Sequence, residues 1–148
     1  MSRLIENKKI RLNYEILETF EAGMELFGFE VKSLRAKNGS LKGSHVTVRG
    51  GEAYFIGMHI APYQPANTPE SYDPERHRRL LLTRKEIDEL AGYENKRGLT
   101  IVPLSVYSDK RKLKVRLGVA RGKKKFDKRE VLKARDAKRH IDREMKNR

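Results

Sequence analysis

Along several parts of the chain, apolar and polar residues alternate, which is the period of a β-strand. The longest such run covers residues 14–26, where most even positions are apolar and most odd positions are polar. Glu18 interrupts this alternation, and Gly23 lies inside it. We therefore predict a long strand with a bulge or bend, a feature that lets one strand serve two sides of a closed sheet.

Two further pairs of β-like runs are joined by short turns. Residues 46–49 and 53–63 flank Gly50-Gly51, a dipeptide suited to the positive φ angles of a tight hairpin turn. Residues 99–107 and 113–119 flank a short polar segment. These pairs predict antiparallel hairpins in a chain that is mainly β.

The last two runs carry more specific information. Pro103 cannot donate a hydrogen bond to a neighbouring strand, so its strand is predicted to lie at an edge or to be bulged there. In the final run, apolar residues alternate with Lys112, Lys114 and Arg116. Because side chains alternate across a strand, we expect these three cations to form a basic ridge on the outer face.

Two segments have helical spacing instead. In residues 28–35 the apolar positions recur three apart, and Lys32 and Arg35 share a different face, which predicts a short helix that presents two cations. Thr83 and Glu86 have the spacing of a capping box, and apolar residues follow at helical spacing, which predicts a helix of two or three turns.

The segment between these regions, residues 64–79, is rich in proline, asparagine, serine and aspartate. Such residues favour turns over regular structure, so we predict a long loop. Loops of this length are frequently functional.

Composition indicates the kind of partner. The 148 residues suffice for one domain with appendages, and 34 Lys and Arg against 20 Asp and Glu leave a net charge of +14. Such a basic chain is expected to bind a polyanion, nucleic acid first and an anionic membrane second. The absence of cysteine and of any long apolar stretch favours a cytoplasmic protein that does not span a membrane.

The charge is unevenly distributed. Residues 121–148 hold 13 Lys and Arg against 5 Asp and Glu, a net +8, whereas residues 1–120 carry +6. With few apolar residues, the last segment cannot offset its ordering entropy alone. We therefore predict a folded body over residues 1–120 and a basic tail over residues 121–148. We expect the tail to be disordered when free, and Asp127 with Glu130 to cap a helix once RNA neutralises the charge of the tail.

No pattern in the sequence indicates catalysis. The four histidines, at positions 45, 59, 77 and 140, do not have metal-ligand spacing, and there is no glycine-rich phosphate loop. We therefore predict a protein that is not an enzyme and needs no cofactor.

Seven short strings then occur in an order and spacing that closely resemble the small protein B family, the bacterial tmRNA-binding (SsrA-binding) proteins. The resemblance extends from about Asn7 to the end of the chain. The strings are Phe20-Glu21-Ala22-Gly23, Glu30-Val31-Lys32-Ser33-Leu34-Arg35, His59-Ile60-Ala61-Pro62-Tyr63, Asp73-Pro74, Arg78-Arg79-Leu80-Leu81-Leu82, Gly98-Leu99-Thr100-Ile101-Val102-Pro103-Leu104 and Gly122-Lys123-Lys124-Lys125-Phe126-Asp127-Lys128-Arg129.

This resemblance implies an antiparallel barrel of the oligonucleotide-binding (OB) type with short flanking helices. It also implies a role in trans-translation, the rescue of stalled ribosomes. The body would hold the tRNA-like domain of tmRNA, and the tail would enter the decoding centre and the empty mRNA channel as a helix. Elongation factor Tu would join through the tmRNA complex, with one protein monomer per tmRNA.

The resemblance also implies site residues. Glu21, Leu81 and Lys114 occupy positions required for tmRNA binding, and Thr83 occupies a position that is asparagine in some members. Lys32, Arg35, Lys112 and Arg116 are the cations expected to contact phosphates beside them. In the tail the implied contacts with the ribosome are made by Gly122, Lys123, Lys124, Phe126, Asp127, Lys128 and Arg129.

Simpler interpretations exist for several of these residues. The basic ridge resembles an ordinary solvated strand face, Leu81 suits a core position equally well, and the tail resembles a solubilising run. Glu21 either pairs with a surface cation or accepts a hydrogen bond from a base edge, a 2′-hydroxyl or an orienting arginine. For the whole protein, the alternatives are an OB-type ribosomal or ribosome-assembly protein and a general single-strand binder.

Overall fold

The alternating runs form strands that pair antiparallel, with short helices between them. The structure is a computed structural model, and it describes residues 2–123. Within that range the elements, in chain order, are β1 (Ser2–Glu6), α1 (Ile10–Asn13), β2 (Tyr14–Met24), α2 (Gly28–Arg35), β3 (Gly39–Ser40), β4 (His45–Arg49), β5 (Glu52–Ile56), β6 (His59–Ile60), β7 (Arg78–Leu81), α3 (Arg84–Glu94), β8 (Leu99–Asp109) and β9 (Lys112–Gly122).

The main sheet closes into a barrel. Its hydrogen-bonded order is β1-β8-β4-β5-β7-β2-β9, and β9 also pairs with β8, so a ring forms from β8, β4, β5, β7, β2 and β9. β1 adds to the second half of β8, and β3 pairs separately with β6. Closure removes the exposed strand edges that an open sheet would present. The predicted fold class, an antiparallel, mainly β barrel with short helices, is confirmed.

Two bulges bend the long strands. The register between β2 and β9 shifts between Ile16 and Glu18, which confirms the interruption predicted from the sequence. The register between β8 and β9 shifts between Pro103 and Ser105, as expected for a proline that cannot donate to the ladder. These bends allow both strands to curve around the barrel.

The barrel interior holds the main hydrophobic core. The alternation in β9 is confirmed, because its apolar residues are buried while the three cations between them lie on the outer face. Other buried residues come from every part of the ring and include Phe20, Ala22, Met24, Val46, Phe55, Leu80, Ile101 and Val106. A smaller cluster lies outside the barrel, where Ile10 of α1 packs against Val102, Leu104 and Ala120.

The local predictions for the turn and helices also hold. Gly50 and Gly51 have φ angles of 58° and 77°, as the tight hairpin between β4 and β5 requires. Helix α2 covers the predicted residues, and α3 begins directly after Thr83. The predicted loop contains one 3₁₀ turn, Pro65–Asn67, and its last two residues belong to β7.

The structure differs from the sequence predictions in several places. The single run predicted over residues 53–63 divides at Gly57 into β5 and β6, and neither α1 nor β3 was predicted. Strand β1 was not predicted, because its stabilising partner, β8, lies about a hundred residues further along the chain. Strand β9 continues to Gly122, where it pairs with Tyr14, while Arg121 pairs with Glu15. The first two residues of the predicted tail are therefore strand residues.

Candidate RNA interface

A shallow groove crosses the outer face of β7, β2 and β9. Leu81 lies opposite Gly23, and Gly23 lies opposite Lys114, so the three residues form one row across three strands. Gly23 keeps the centre of this row open, because a Cβ there would meet the Leu81 Cβ at 3.3 Å. The groove encloses about 330 Å³ between apolar residues and a cationic rim, namely Gly23, Met24, Leu26, Val31, Leu81, Arg111, Lys112, Leu113 and Lys114.

Leu81 is exposed. The side chains of β7 alternate, so that Arg78 and Leu80 are buried while Arg79 and Leu81 face outward. Leu81 is 50% exposed, one of few large apolar residues so exposed in the described part of the chain. Of the two interpretations of Leu81, the structure excludes a core position and leaves the side chain available for contact.

Acidic residues share the surface with the basic ridge. Arg116 lies opposite Glu21, and its Nη2 is 3.2 Å from Glu21 Oε1. Lys114 Nζ is 3.5 Å from Asp109 Oδ2. Both ion pairs are partly exposed, so each contributes little to stability in water. Both interpretations of Glu21 allow this partner, since Arg116 can be either a surface ion-pair partner or an orienting arginine.

The two cations of α2 have different surroundings. Arg35 donates hydrogen bonds to Ser108 Oγ at 3.3 Å and to the Arg111 carbonyl at 2.9 Å, which ties α2 to the β8–β9 turn beside the groove. Lys32 instead lies 5.9 Å from the centre of the Tyr63 ring. The structure therefore connects Arg35 with Lys112 and Lys114 through the turn, and it directs Lys32 towards Tyr63.

Thr83 caps helix α3. Its Oγ1 accepts a hydrogen bond from the backbone N–H of Glu86 at 3.2 Å, and Glu86 Oε1 accepts one from the backbone N–H of Thr83 at 3.0 Å. This reciprocal pair is the capping box predicted from the sequence. Asparagine, the residue that the family resemblance implies for some members at this position, is also a strong helix N-cap.

A buried ionic network, which no local sequence pattern predicts, holds the long loop against the barrel. Glu30 and Arg78 are both fully buried, and their side chains are 2.7 Å apart. Glu30 also accepts hydrogen bonds from Arg76, from the Tyr72 hydroxyl at 2.9 Å and from the Phe27 backbone at 2.8 Å. The only signal in the sequence was a glutamate inside an otherwise regular helix.

Burial and hydrogen bonding have opposite effects on the pKa of the Glu30 carboxylate. Burial alone raises the pKa of Glu30, but hydrogen bonds from Arg76, Phe27 and Arg78 outweigh it and hold the pKa below the usual value. Burial and the neighbouring Glu30 raise the pKa of Tyr72 to about 12. Glu30 is therefore ionised, and Tyr72 is a neutral donor, at physiological pH.

The described chain ends beside α1. Gly122 pairs with Tyr14, and Lys123 donates from its backbone to the Asn13 carbonyl at 2.9 Å and from Nζ to the Arg11 carbonyl at 2.7 Å. Lys123, the last described residue, therefore lies beside α1. The other predicted tail contacts lie outside the described residues, namely Lys124, Phe126, Asp127, Lys128 and Arg129.

Comparison with known proteins identifies the family. The family model described as "SmpB protein" matches residues 4–147. The chain belongs to this family. Relatives named SsrA-binding protein include one from Synechococcus sp. (strain JA-3-3Ab), 48% identical over 98% of this chain and 94% of the relative, and one from Acetivibrio thermocellus (strain ATCC 27405), 50% identical over 95% and 91%.

A solved structure supports the same assignment. One of its chains superposes with a TM-score of 0.70 and 43% identity, covering 88% of this chain and 95% of that one. That structure is described as "tmRNA-SmpB: a journey to the center of the bacterial ribosome". In the part of the chain described here, no helix is long and apolar enough to cross a membrane.

Proposed function

We propose that this chain is a tmRNA-binding protein of trans-translation. It binds the tRNA-like domain of tmRNA and delivers it to stalled bacterial ribosomes. It acts in the cytoplasm as an adaptor without catalysis, as one monomer per tmRNA, and meets elongation factor Tu through that RNA.

One observation in particular supports the body as the tmRNA-binding part. The row formed by Leu81, Gly23 and Lys114 unites two residues that the family resemblance implies for tmRNA binding, Leu81 and Lys114, with the glycine that opens the groove between them. An exposed leucine can pack on a sugar or an unstacked base, and lysines at the rim can neutralise phosphates. Arg111 and Lys112 add charge to the same groove, although only Lys112 was anticipated from the sequence.

The remaining residues have supporting roles in this proposal. Arg116 binds a phosphate after its guanidinium group has separated from Glu21. Arg35 holds the β8–β9 turn in position and adds positive charge beside the groove. Thr83 orders α3 next to Leu81. Lys32, beside Tyr63, is a more distant phosphate contact.

The tail has a separate role. We propose that Gly122 and Lys123 fix the point where the tail leaves the barrel, and that the residues from Lys124 to Arg129 contact the decoding centre and mRNA channel. The hydrogen bonds from Lys123 to Asn13 and Arg11 support a fixed exit point.

Binding of the tRNA-like domain of tmRNA tests the body's role. The affinity of Lys114→Ala should fall, and each lost phosphate contact should lower the slope of log affinity against log salt by about 0.7 to 0.9. Lys42→Ala is the matched control, because Lys42 is an exposed lysine on a different groove. Equal losses for both variants, or equal wild-type affinity for random RNA of the same length, would contradict the proposal.

A further inference from the structure

Tyr107 lies beneath the basic ridge. It pairs with Lys114 across β8 and β9, so both side chains are on the outer face of the barrel. Tyr107 is nevertheless only 5% exposed. Its ring is covered by Arg116, whose guanidinium carbon lies 5.9 Å from the ring centre.

The hydroxyl of Tyr107 has no hydrogen-bond partner among the residues that the structure describes. It lies near the Glu21 carboxylate, whose Oε1 accepts a hydrogen bond from Arg116. Burial, followed by the neighbouring Glu21 carboxylate, raises the pKa of Tyr107. The phenol is therefore a neutral donor beside a carboxylate that Arg116 holds through Oε1.

A buried donor without a partner is uncommon in native proteins and is destabilising. The same region contains a carboxylate where an RNA phosphate should bind, which is also unfavourable. Both features have a common explanation if the hydrogen bonds rearrange when RNA binds.

We propose that Tyr107 is a positioning residue of the RNA interface: when an RNA phosphate takes Arg116 from Glu21, the Tyr107 hydroxyl donates to Glu21 in its place. The carboxylate then stays hydrogen-bonded and directed away from the phosphate. Arg116 is released without leaving Glu21 unpaired. This inference rests on the proposed function of the body and assigns a role to a residue outside the expected contacts.

Tyr107→Phe removes only the hydroxyl. We expect affinity for the tRNA-like domain to fall about ten-fold, the effect of one hydrogen bond to a charged group. The slope of log affinity against log salt concentration should fall by about 0.7 to 0.9, because Arg116 stays paired with Glu21 and one phosphate contact is lost. The urea midpoint of the free protein should not fall, since an unpartnered buried hydroxyl has been removed.

Glu21→Gln tests the coupling. In that background the hydroxyl no longer has a carboxylate to hold, so adding Tyr107→Phe should cause little further loss, and the two changes should be non-additive. Tyr54→Phe is the matched control, because Tyr54 lies on β5 in a separate groove with His45 and His77. The affinity of this variant for the tRNA-like domain should equal that of the wild type.

The outcomes separate this inference from the proposed function. If the wild type does not bind the tRNA-like domain, the proposed function itself is wrong. If the wild type binds and Tyr107→Phe binds equally well, the positioning role is wrong. A lowered urea midpoint together with additive losses in the double variant would also overturn it, because that result describes a tyrosine needed only for packing.

Discussion

At the scale of single residues, the buried carboxylate of Glu30 has a testable consequence for stability. Its carboxylate is buried with Arg78 and accepts from three other donors, so nearly all of its hydrogen-bonding capacity is used. A buried pair of this kind does not necessarily stabilise a fold relative to apolar residues, but losing one partner leaves an uncompensated buried charge. Glu30 thereby connects α2 to the loop that contains Tyr72 and Arg76.

Replacing Glu30 tests this interpretation. Glu30→Gln should lower the free energy of unfolding by about 3 to 5 kcal/mol, because the Arg78 charge stays buried without its counterion. Glu25→Gln is the control, since Glu25 pairs with Arg79 on the surface, and its effect should not exceed about 1 kcal/mol. Urea denaturation measures both. Similar small losses for the two variants would show that the network is not important for stability.

The lowered pKa of Glu30 makes the stability of the fold depend on pH. The pKa of Glu30 is lower in the folded protein than its ordinary value of 4.5, so its contribution is fully present above that pH and is lost as the pH falls through the folded pKa. The wild type should therefore lose more stability than Glu30→Gln below about pH 4.5. Parallel curves of unfolding free energy against pH for the two proteins would contradict this.

At the scale of elements, the strands and α3 follow from local patterns, and their ends are set by identifiable groups. The capping box at Thr83 starts α3 immediately after β7, the strand that carries Leu81. If the short connection between β7 and α3 is well ordered, Leu81 is held in a fixed position beside the groove. Thr83 therefore has a structural role that does not require contact with RNA.

Substitutions at Thr83 separate the two roles. Thr83→Ala should destabilise the protein by about 1 kcal/mol through loss of the cap, whereas Thr83→Asn should retain stability because asparagine caps at least as well. Thermal or urea unfolding measures the difference. If Thr83→Asn raises affinity for the tRNA-like domain many-fold without changing stability, the residue at this position contacts RNA directly.

At the scale of the whole molecule, the groove and the last described residues lie at different ends of β9. Lys112 and Lys114 occupy its first residues beside the groove, whereas Gly122 pairs with Tyr14 at its other end. A β-strand rises about 3.3 Å per residue, so the two ends are roughly 30 Å apart. This separation is compatible with two RNA surfaces that are bound at the same time.

Removing the tail tests that division. A protein truncated after Lys123 keeps every described element, so its affinity for the tRNA-like domain should stay within a few-fold of the wild type. The truncated protein should no longer support the tagging of nascent chains on stalled ribosomes. The triple variant Asp127→Ala, Lys128→Ala and Arg129→Ala should behave in the same way. In vitro binding and tagging assays measure the two activities.

Two results would contradict this division of roles. Tagging by the truncated protein would show that the tail is dispensable, and a collapse of RNA affinity in the triple variant would show that the tail belongs to the tmRNA interface. Presence in equal amounts on all ribosomes would instead favour the alternative of a permanent ribosomal or assembly protein.

Much of the fold could be predicted because it depends on neighbours in the sequence. Alternation of apolar residues indicated β2, β8 and β9, the Gly50-Gly51 pair indicated a hairpin, and the Thr83 capping box indicated α3. The net charge and the ordered family motifs indicated an RNA-binding protein. Each of these features involves residues at most a few positions apart, or the chain as a whole.

The candidate site required the three-dimensional structure. Arg116 and Glu21 are 95 positions apart, and Glu30 and Arg78 are 48 apart, so no local pattern could pair them. Strand register decided that Gly23 opens a groove between Leu81 and Lys114, and that Tyr107 lies beneath the ridge. Sequence patterns determine which segments become strands and helices, but long-range pairing determines which side chains meet, because each register depends on the packing of the complete barrel.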